Sequence, residues 1–128
     1  KIMKKEIYSN KAPKPIGPYS QAIKINNLIF ISGQIGLDNE SSEFIAKNIE
    51  EETRIIMQNI KNILEEANCN FDDVLKTSIF LSKITFFEEV NKEYKKYFNK
   101  PYPARETIEV SSLPKNVNVE ISMIANCK

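Results

Sequence analysis

Histidine is absent from this chain. Without imidazole no side chain has an ordinary pKa near neutrality, which excludes histidine-based acid–base catalysis and most zinc sites. Cysteine is scarce, with Cys69 and Cys127 far apart in sequence. A secreted disulfide scaffold normally carries more, so the expectation is two free thiols in a reducing, cytoplasmic compartment. Charge excess is missing too: 18 basic and 17 acidic residues leave a net charge of +1. Nucleic-acid binders draw much of their affinity from phosphate neutralisation, so a nucleic-acid partner is not expected. No apolar run approaches the ~20 residues that span a bilayer, and no signal-peptide core follows the lysines of Lys1-Ile2-Met3-Lys4-Lys5. A membrane partner is therefore not expected. Asn39-Glu40-Ser41 matches a glycosylation sequon and reads as chance.

What remains is an ordinary globular balance, 41% hydrophobic and 27% charged, in a length that suits one domain over residues 1–128. There is no internal repeat. Ile2 to Tyr8 reads as a short strand, followed by a Pro-rich loop. Ala22 to Ile25 and Leu28 to Gln34 are apolar runs joined by Asn26-Asn27, a pair that tolerates positive φ, which spells a β-hairpin. From Ile49 to Ala67, Ile49, Thr53, Ile56, Ile60, Ile63, Leu64 and Ala67 recur at helical spacing. Asn48 is the expected N-cap, and Asn68 follows the last turn. Glu50 to Glu52 read as a solvated first turn at the positive end of the helix dipole. Val74 to Leu81 reads as a strand and Phe86 to Phe98 as a second helix with Phe87, Val90, Tyr94, Tyr97 and Phe98 on one stripe. Ala104 to Val110 and Val117 to Ala125 are the closing strands. The order β-β-β-α-β-α-β-β predicts an α+β fold: a single sheet of about six mostly antiparallel strands with two helices on one face.

Two helices cover one face of such a sheet, and alternation should leave the other polar. It does not. Leu28 to Ile31 is apolar on both faces, Ile124 opposes Val119, Ile121 and Met123, and Val74 and Leu81 fall on opposite faces. A homo-oligomer packing sheet against sheet would cover the second face.

The densest polar cluster is Pro103-Ala104-Arg105-Glu106-Thr107-Ile108-Glu109-Val110, followed by Leu113-Pro114 and Val119-Glu120-Ile121. Alternation sets Arg105, Thr107 and Glu109 against Ile108 and Val110, and Glu120 and Ser122 against Val119 and Ile121. If the apolar residues face the helices, Arg105 and Glu120 share the subunit-facing side. A buried arginine and carboxylate must pair or bind something. From alternation alone, an interface salt bridge is the commoner arrangement and an active site the alternative.

Three segments carry a resemblance: Ile16-Gly17-Pro18-Tyr19-Ser20-Gln21-Ala22, Ile31-Ser32-Gly33-Gln34-Ile35, and Pro103-Ala104-Arg105 through Leu113-Pro114 to Val119-Glu120-Ile121. In this order they resemble the signature segments of the RidA family, the reactive-intermediate deaminases, also called YjgF-like or liver perchloric-acid-soluble protein (L-PSP) endoribonucleases. The likeness runs from about Tyr8 to Ala125. It implies a chorismate-mutase-like homotrimer with clefts between subunits, and hydrolysis of 2-imino acids such as 2-aminoacrylate or 2-iminobutyrate to 2-keto acids and ammonia, with no cofactor and no metal. In that setting Arg105 holds the substrate carboxylate through its planar fork. Glu120 activates the attacking water. Ser32 and the backbone of Gly33, at the end of the third strand, position the substrate, and Tyr19 lids the cleft. The main-chain carbonyl of Thr107 accepts a hydrogen bond, and Asn91 either borders the cleft or makes a structural hydrogen bond.

Two positions depart from the family pattern. Thr107 stands where many members have cysteine, and Glu106 where small residues are common; Glu106 is expected to be tolerated, while altering the rim or pairing with a lysine. Tyr94 and Tyr97 read as core, and Lys95-Lys96 as a solvated helix face. Rival functions are an L-PSP-type endoribonuclease or translation inhibitor, which the missing histidine and near-neutral charge weaken, and a non-catalytic small-carboxylate binder or chaperone.

Overall fold

The computed structural model describes residues 3–128. Six strands, β1 (Lys5–Ile7), β2 (Ala22–Ile25), β3 (Leu28–Ile35), β4 (Val74–Leu81), β5 (Ala104–Glu109) and β6 (Val119–Asn126), and two helices, α1 (Ile49–Glu66) and α2 (Phe87–Tyr94), make up its regular structure. The strands form one sheet in the order β1-β2-β3-β6-β4-β5. Every neighbouring pair is antiparallel except β4–β5, which is parallel. This is the α+β sheet-and-two-helix architecture expected from the sequence. Ile2, the predicted start of the first strand, lies outside the described residues.

Helix α1 forms where its ends and its stripe agree. The Asn48 side chain accepts a hydrogen bond from the Glu51 amide, and the Glu51 carboxylate accepts one from the Lys47 amide. Thr53, Ile56, Met57, Ile60, Ile63 and Leu64 are buried against the sheet. At the other end Asn68 adopts a positive φ of 59°, and the amides of Asn68 and Cys69 donate to the carbonyls of Glu65 and Leu64. This double closure satisfies two orphan carbonyls and turns the chain back toward the sheet.

That turn delivers Cys69 to the end of β6. Cys69 and Cys127 form a disulfide, with Cα atoms 5.6 Å apart. The expectation of two free thiols is thus corrected: the residues are 58 apart in sequence, but the reversal after α1 makes them neighbours.

Other differences are local. The second helix ends at Tyr94 and continues as a 3-10 turn over Lys95–Tyr97, so Phe98 reaches the core from extended backbone. Val74 and Leu81 do not oppose each other. A register break between Val74 and Lys76 lets Leu75 bulge outward, and Val74 and Leu81 pair with Ala125 and Val119 on the helix side. Ser32 and Gly33 lie within β3, at its register break between Ile31 and Gln34, rather than at its end. Glu52, read as solvated, is 1% exposed.

The face away from the helices carries Ile25 beside Leu28, Ile23 beside Phe30 and Ile124, and Phe80 beside Ile108. Phe30 and Ile108 are 43% and 46% exposed. No element of residues 3–128 covers this face, so its apolar surface stands open.

Candidate functional site

The helix-side orientation of Arg105 follows from strand register. Arg105 pairs with Thr77 and Thr107 with Ile79, and Thr77 and Ile79 are fully buried under the helices. Laterally paired residues share a face, so Arg105 and Thr107 point toward α2. Glu120 pairs with Phe80, which pairs with Ile108 on the open face. The expectation that Arg105 and Glu120 share one side is therefore overturned: within one chain they lie on opposite faces of the sheet, with β4 between their strands. The physical reason is that β5 is an edge strand. Its helix-side residues meet only the border of α2, so they need not be apolar, while Ile108 extends the apolar patch on the open face.

The Arg105 guanidinium lies over two rings, 5.0 Å from the Tyr94 centroid and 5.6 Å from that of Phe87. Such stacking orients the planar fork and stabilises it by about 0.5–2 kcal/mol. Tyr94 is itself fixed, its hydroxyl donating to Thr77 Oγ1 at 2.9 Å, and burial holds its phenol above the usual range, in the neutral form. No carboxylate pairs with Arg105 among the described residues. Its fork opens into a cleft of about 330 Å³ lined by Asn91, Tyr94, Lys95, Tyr102 and Pro103. Thr107 lies two residues further along β5. The Val110 amide donates to the Leu81 carbonyl, so alternation along the parallel ladder turns the main-chain groups of Arg105 and Thr107 to the free edge of the sheet. The Thr107 hydroxyl is buried with no hydrogen-bond partner.

Glu120 belongs to a second cleft, of about 300 Å³, with Ile16, Tyr19, Ser32, Gly33, Ile35 and Pro114. Burial pushes its carboxyl above the ordinary glutamate value of 4.5. No side chain or amide among the described residues donates to it, so it is a half-buried carboxylate free to take a proton. Tyr19 is 47% exposed over this cleft, and its hydroxyl accepts a hydrogen bond from the Ile16 amide. The Ser32 hydroxyl donates to the Ser20 carbonyl at 2.6 Å, and the Ser32 amide donates to the Gln21 carbonyl. Ser32 therefore anchors the Tyr19 loop, leaving its oxygen as an acceptor. Gln21 anchors the same loop from beneath, bonding Ser9, Ala12 and Pro13.

The chain thus holds two half-sites: Arg105 with Asn91, and Glu120 with Tyr19, Ser32 and Gly33. Thr107 lines neither cleft and presents its backbone at the β5 edge. Sequence reasoning passed over Phe87 and Tyr94 as ring supports for Arg105, because helical spacing marks both as core. Tyr102 and Lys95 carried no signal beyond proximity to Arg105. Glu106 pairs with Lys76 at 3.1 Å and with Ser78 on the open face, the lysine pairing foreseen for it. One convergence of metal-ligand types among the described residues, Cys69, Asp73 and Cys127, has donor atoms within 4.8 Å of one another, but its two sulfurs are bonded to each other.

The Endoribonuclease L-PSP family profile matches residues 9–127. The chain belongs to this family, the RidA family. Its relatives include a RutC family protein of Pyrococcus abyssi, 48% identical over 97% of this chain and 98% of that one. The human 2-iminobutanoate/2-iminopropanoate deaminase is 40% identical over 97% of this chain and 90% of its own length. Among solved structures, a Thermotoga maritima protein superposes with a TM-score of 0.95 at 42% identity, covering 98% of this chain and 99% of that one. Escherichia coli TdcF with bound serine gives 0.91 at 32% identity, covering 97% and 99%. The RidA fold is therefore shared along nearly the whole chain.

Proposed function

We propose that the protein hydrolyses 2-imino acids to 2-keto acids and ammonia, in a homotrimer whose active sites each join the Arg105 cleft of one copy to the Glu120 cleft of another. The observation that carries this reading is the separation itself. An arginine with a stacked, uncommitted fork and a carboxylate with a raised pKa sit on opposite faces of one sheet, each in an open cleft that supplies half of what the chemistry needs. Packing the apolar open faces together would cover Phe30, Phe80 and Ile108 and carry each Glu120 cleft toward a neighbouring chain. The name of the human relative and the amino acid bound by TdcF support a small α-carboxylate as the ligand.

The balance of the reaction assigns the roles. The substrate carries a carboxylate beside a C=N bond in its iminium form. Arg105 takes the carboxylate through two charge-assisted hydrogen bonds. Glu120, as carboxylate, accepts a proton while water oxygen forms the new bond to the imine carbon. Glu120 returns that proton to the carbinolamine nitrogen; as the C–N bond breaks and ammonia leaves, Glu120 takes the hydroxyl proton so that the C=O bond forms and passes it to the ammonia, giving the keto acid and ammonium. An enamine such as 2-aminoacrylate enters after tautomerising to the imine. Tyr19 limits bulk water over the cleft, and the outward backbone of Thr107 offers an acceptor for the nitrogen.

A complementation experiment tests both halves. Arg105→Ala is expected to show no measurable turnover and Glu120→Gln to lose about 10²–10⁴-fold of the rate when a PLP-dependent threonine dehydratase generates the imine and keto-acid release is followed. After mixing and subunit exchange, part of the activity returns, because some interfaces then join an intact Arg105 to an intact Glu120. Light scattering is expected to give three times the chain mass of 14.7 kDa. A monomer, or mixed variants that stay inactive despite exchange, would rule out the shared site.

A further inference from the structure

The strand start that bears Glu120 is gripped by a charge from the helix layer. Glu52, in the first turn of α1, is 1% exposed. Its two carboxylate oxygens accept three hydrogen bonds: from the Asn118 amide at 2.8 Å, the Asn118 side-chain Nδ2 at 2.8 Å and the Val119 amide at 3.0 Å. All three donors belong to the two residues immediately before Glu120. No cation pairs with Glu52 among the described residues, so its charge is held by these neutral donors and by the positive end of the α1 dipole. Space is kept for it as well. A Cβ at Gly36 would lie 2.9 Å from Glu52 Cγ and 3.1 Å from its carbonyl oxygen, so only glycine lets α1 approach the end of β3 this closely.

A buried carboxylate without a cation costs stability unless its hydrogen bonds are complete, and an apolar residue would fill the same space more cheaply. Its geometry indicates what it does. Asn118 is also tied on its far side, its carbonyl accepting from the Ser82 amide, so residues 118 and 119 are clamped between α1 and the end of β4. Glu120 follows on the opposite face of the strand. Its position against Gly33 is then set by a backbone that cannot slide or twist. We infer that Glu52 is a positioning residue for Glu120, acting through Asn118 and Val119 to hold the Glu120 carboxylate at its cleft. As a role in turnover, this rests on the imine-hydrolase reading given above.

The test uses the full-length protein. Glu52→Ala orphans three donors and frees the strand start, while Glu52→Gln restores acceptance, because one amide oxygen takes both backbone amides and the Asn118 side-chain amide can flip toward the other end. Displacement of a reacting group by about 1 Å lowers rates by up to roughly 10²-fold. The expectation is a tenfold or greater fall in kcat for Glu52→Ala with KM little changed, near-complete rescue by Glu52→Gln, and no additional fall when Glu52→Ala is combined with Glu120→Gln. Equal multiplicative losses in both backgrounds would overturn the inference, as would unchanged kcat in folded Glu52→Ala. If Glu52→Ala does not fold, Glu52→Asp withdraws the oxygens by one methylene while keeping the charge, and the same comparisons apply. A carboxyl NMR titration of Glu120 without substrate separates this inference from the functional reading. With the clamp released, the Glu120 titration moves down toward that of a solvated glutamate; an unmoved titration refutes the clamp. An inactive wild type with a Glu120 titration that responds to Glu52 removes the hydrolase reading and leaves the clamp standing.

Discussion

Gly33 lies so close to Glu120 that a Cβ on residue 33 would come within 2.7 Å of the carboxyl carbon. Gly33 has no positive φ, so this contact, rather than backbone strain, is what demands glycine. The clashing group is the mobile end of a glutamate side chain, which can swing away. Gly33→Ala is therefore expected to fold with nearly wild-type thermal stability while deamination falls by roughly ten- to a hundredfold, the scale of a displaced reacting group. Melting curves and the coupled keto-acid assay measure the two effects. Loss of folding with full specific activity in the folded fraction would contradict it.

Arg105 is expected to contribute to binding as well as to rate. Arg105→Ala should abolish measurable turnover and weaken binding of a 2-keto acid by about 1.5–3 kcal/mol, the usual value of a charge-assisted hydrogen bond. Arg105→Lys should rescue neither, because a compact ammonium reproduces neither the bidentate fork nor its stacking on Tyr94. Calorimetric titration with 2-ketobutyrate checks this. Wild-type affinity in Arg105→Ala would remove the residue from the site.

The raised pKa of Glu120 gives activity and stability opposite pH trends. Burial holds the carboxyl above 4.5 in the folded state, so the folded protein binds this proton more tightly than the unfolded chain. The group's contribution to stability is then full below the ordinary value and is lost as pH rises through the raised one. Catalysis needs the deprotonated form, so kcat/KM should climb through that same window. Glu120→Gln should lose the acid limb together with about 10²–10⁴-fold of the rate. A pH–rate profile set beside pH-dependent melting tests the pairing. An acid limb that persists in Glu120→Gln would assign the base elsewhere.

The disulfide should stabilise the fold without serving the reaction. Closing a loop across 58 residues is worth roughly 2–4 kcal/mol. Along β6 the seven steps from Glu120 to Cys127 span about 23 Å at ~3.3 Å per residue. The double variant Cys69→Ser with Cys127→Ser is expected to melt at a lower temperature and to deaminate at the wild-type rate. A proportional loss of rate in the folded protein would mean that the cross-link reaches the site.

The readable parts of the sequence were those where local chemistry and tertiary context agree. Asn48, the α1 stripe and Asn68 each state one end or face of a helix, and all three appear as expected. Glu52 was misread because helical periodicity treats every charge as solvent-facing, whereas its partners, Asn118 and Val119, are 66 and 67 residues away. The face of Arg105 was misread because alternation gives the two sides of a strand but not which one meets the core. On β5 the parallel register with β4 decides that, and it places Ile108 outward. Tyr19, Ser32, Gly33 and Glu120, far apart along the chain, line one cleft.

The Cys69–Cys127 link also has a topological consequence. It closes a covalent ring that contains β4, α2, β5 and β6, with both Arg105 and Glu120 inside it and the Tyr19 loop and β3 outside. A protease that cuts the exposed stretch around Tyr102 opens the ring without parting its ends, so the C-terminal piece carrying both Arg105 and Glu120 stays joined to the rest of the chain until a reductant is added. A cut between residues 37 and 47 instead releases the N-terminal piece, with Tyr19, Ser32 and Gly33, from that covalent body.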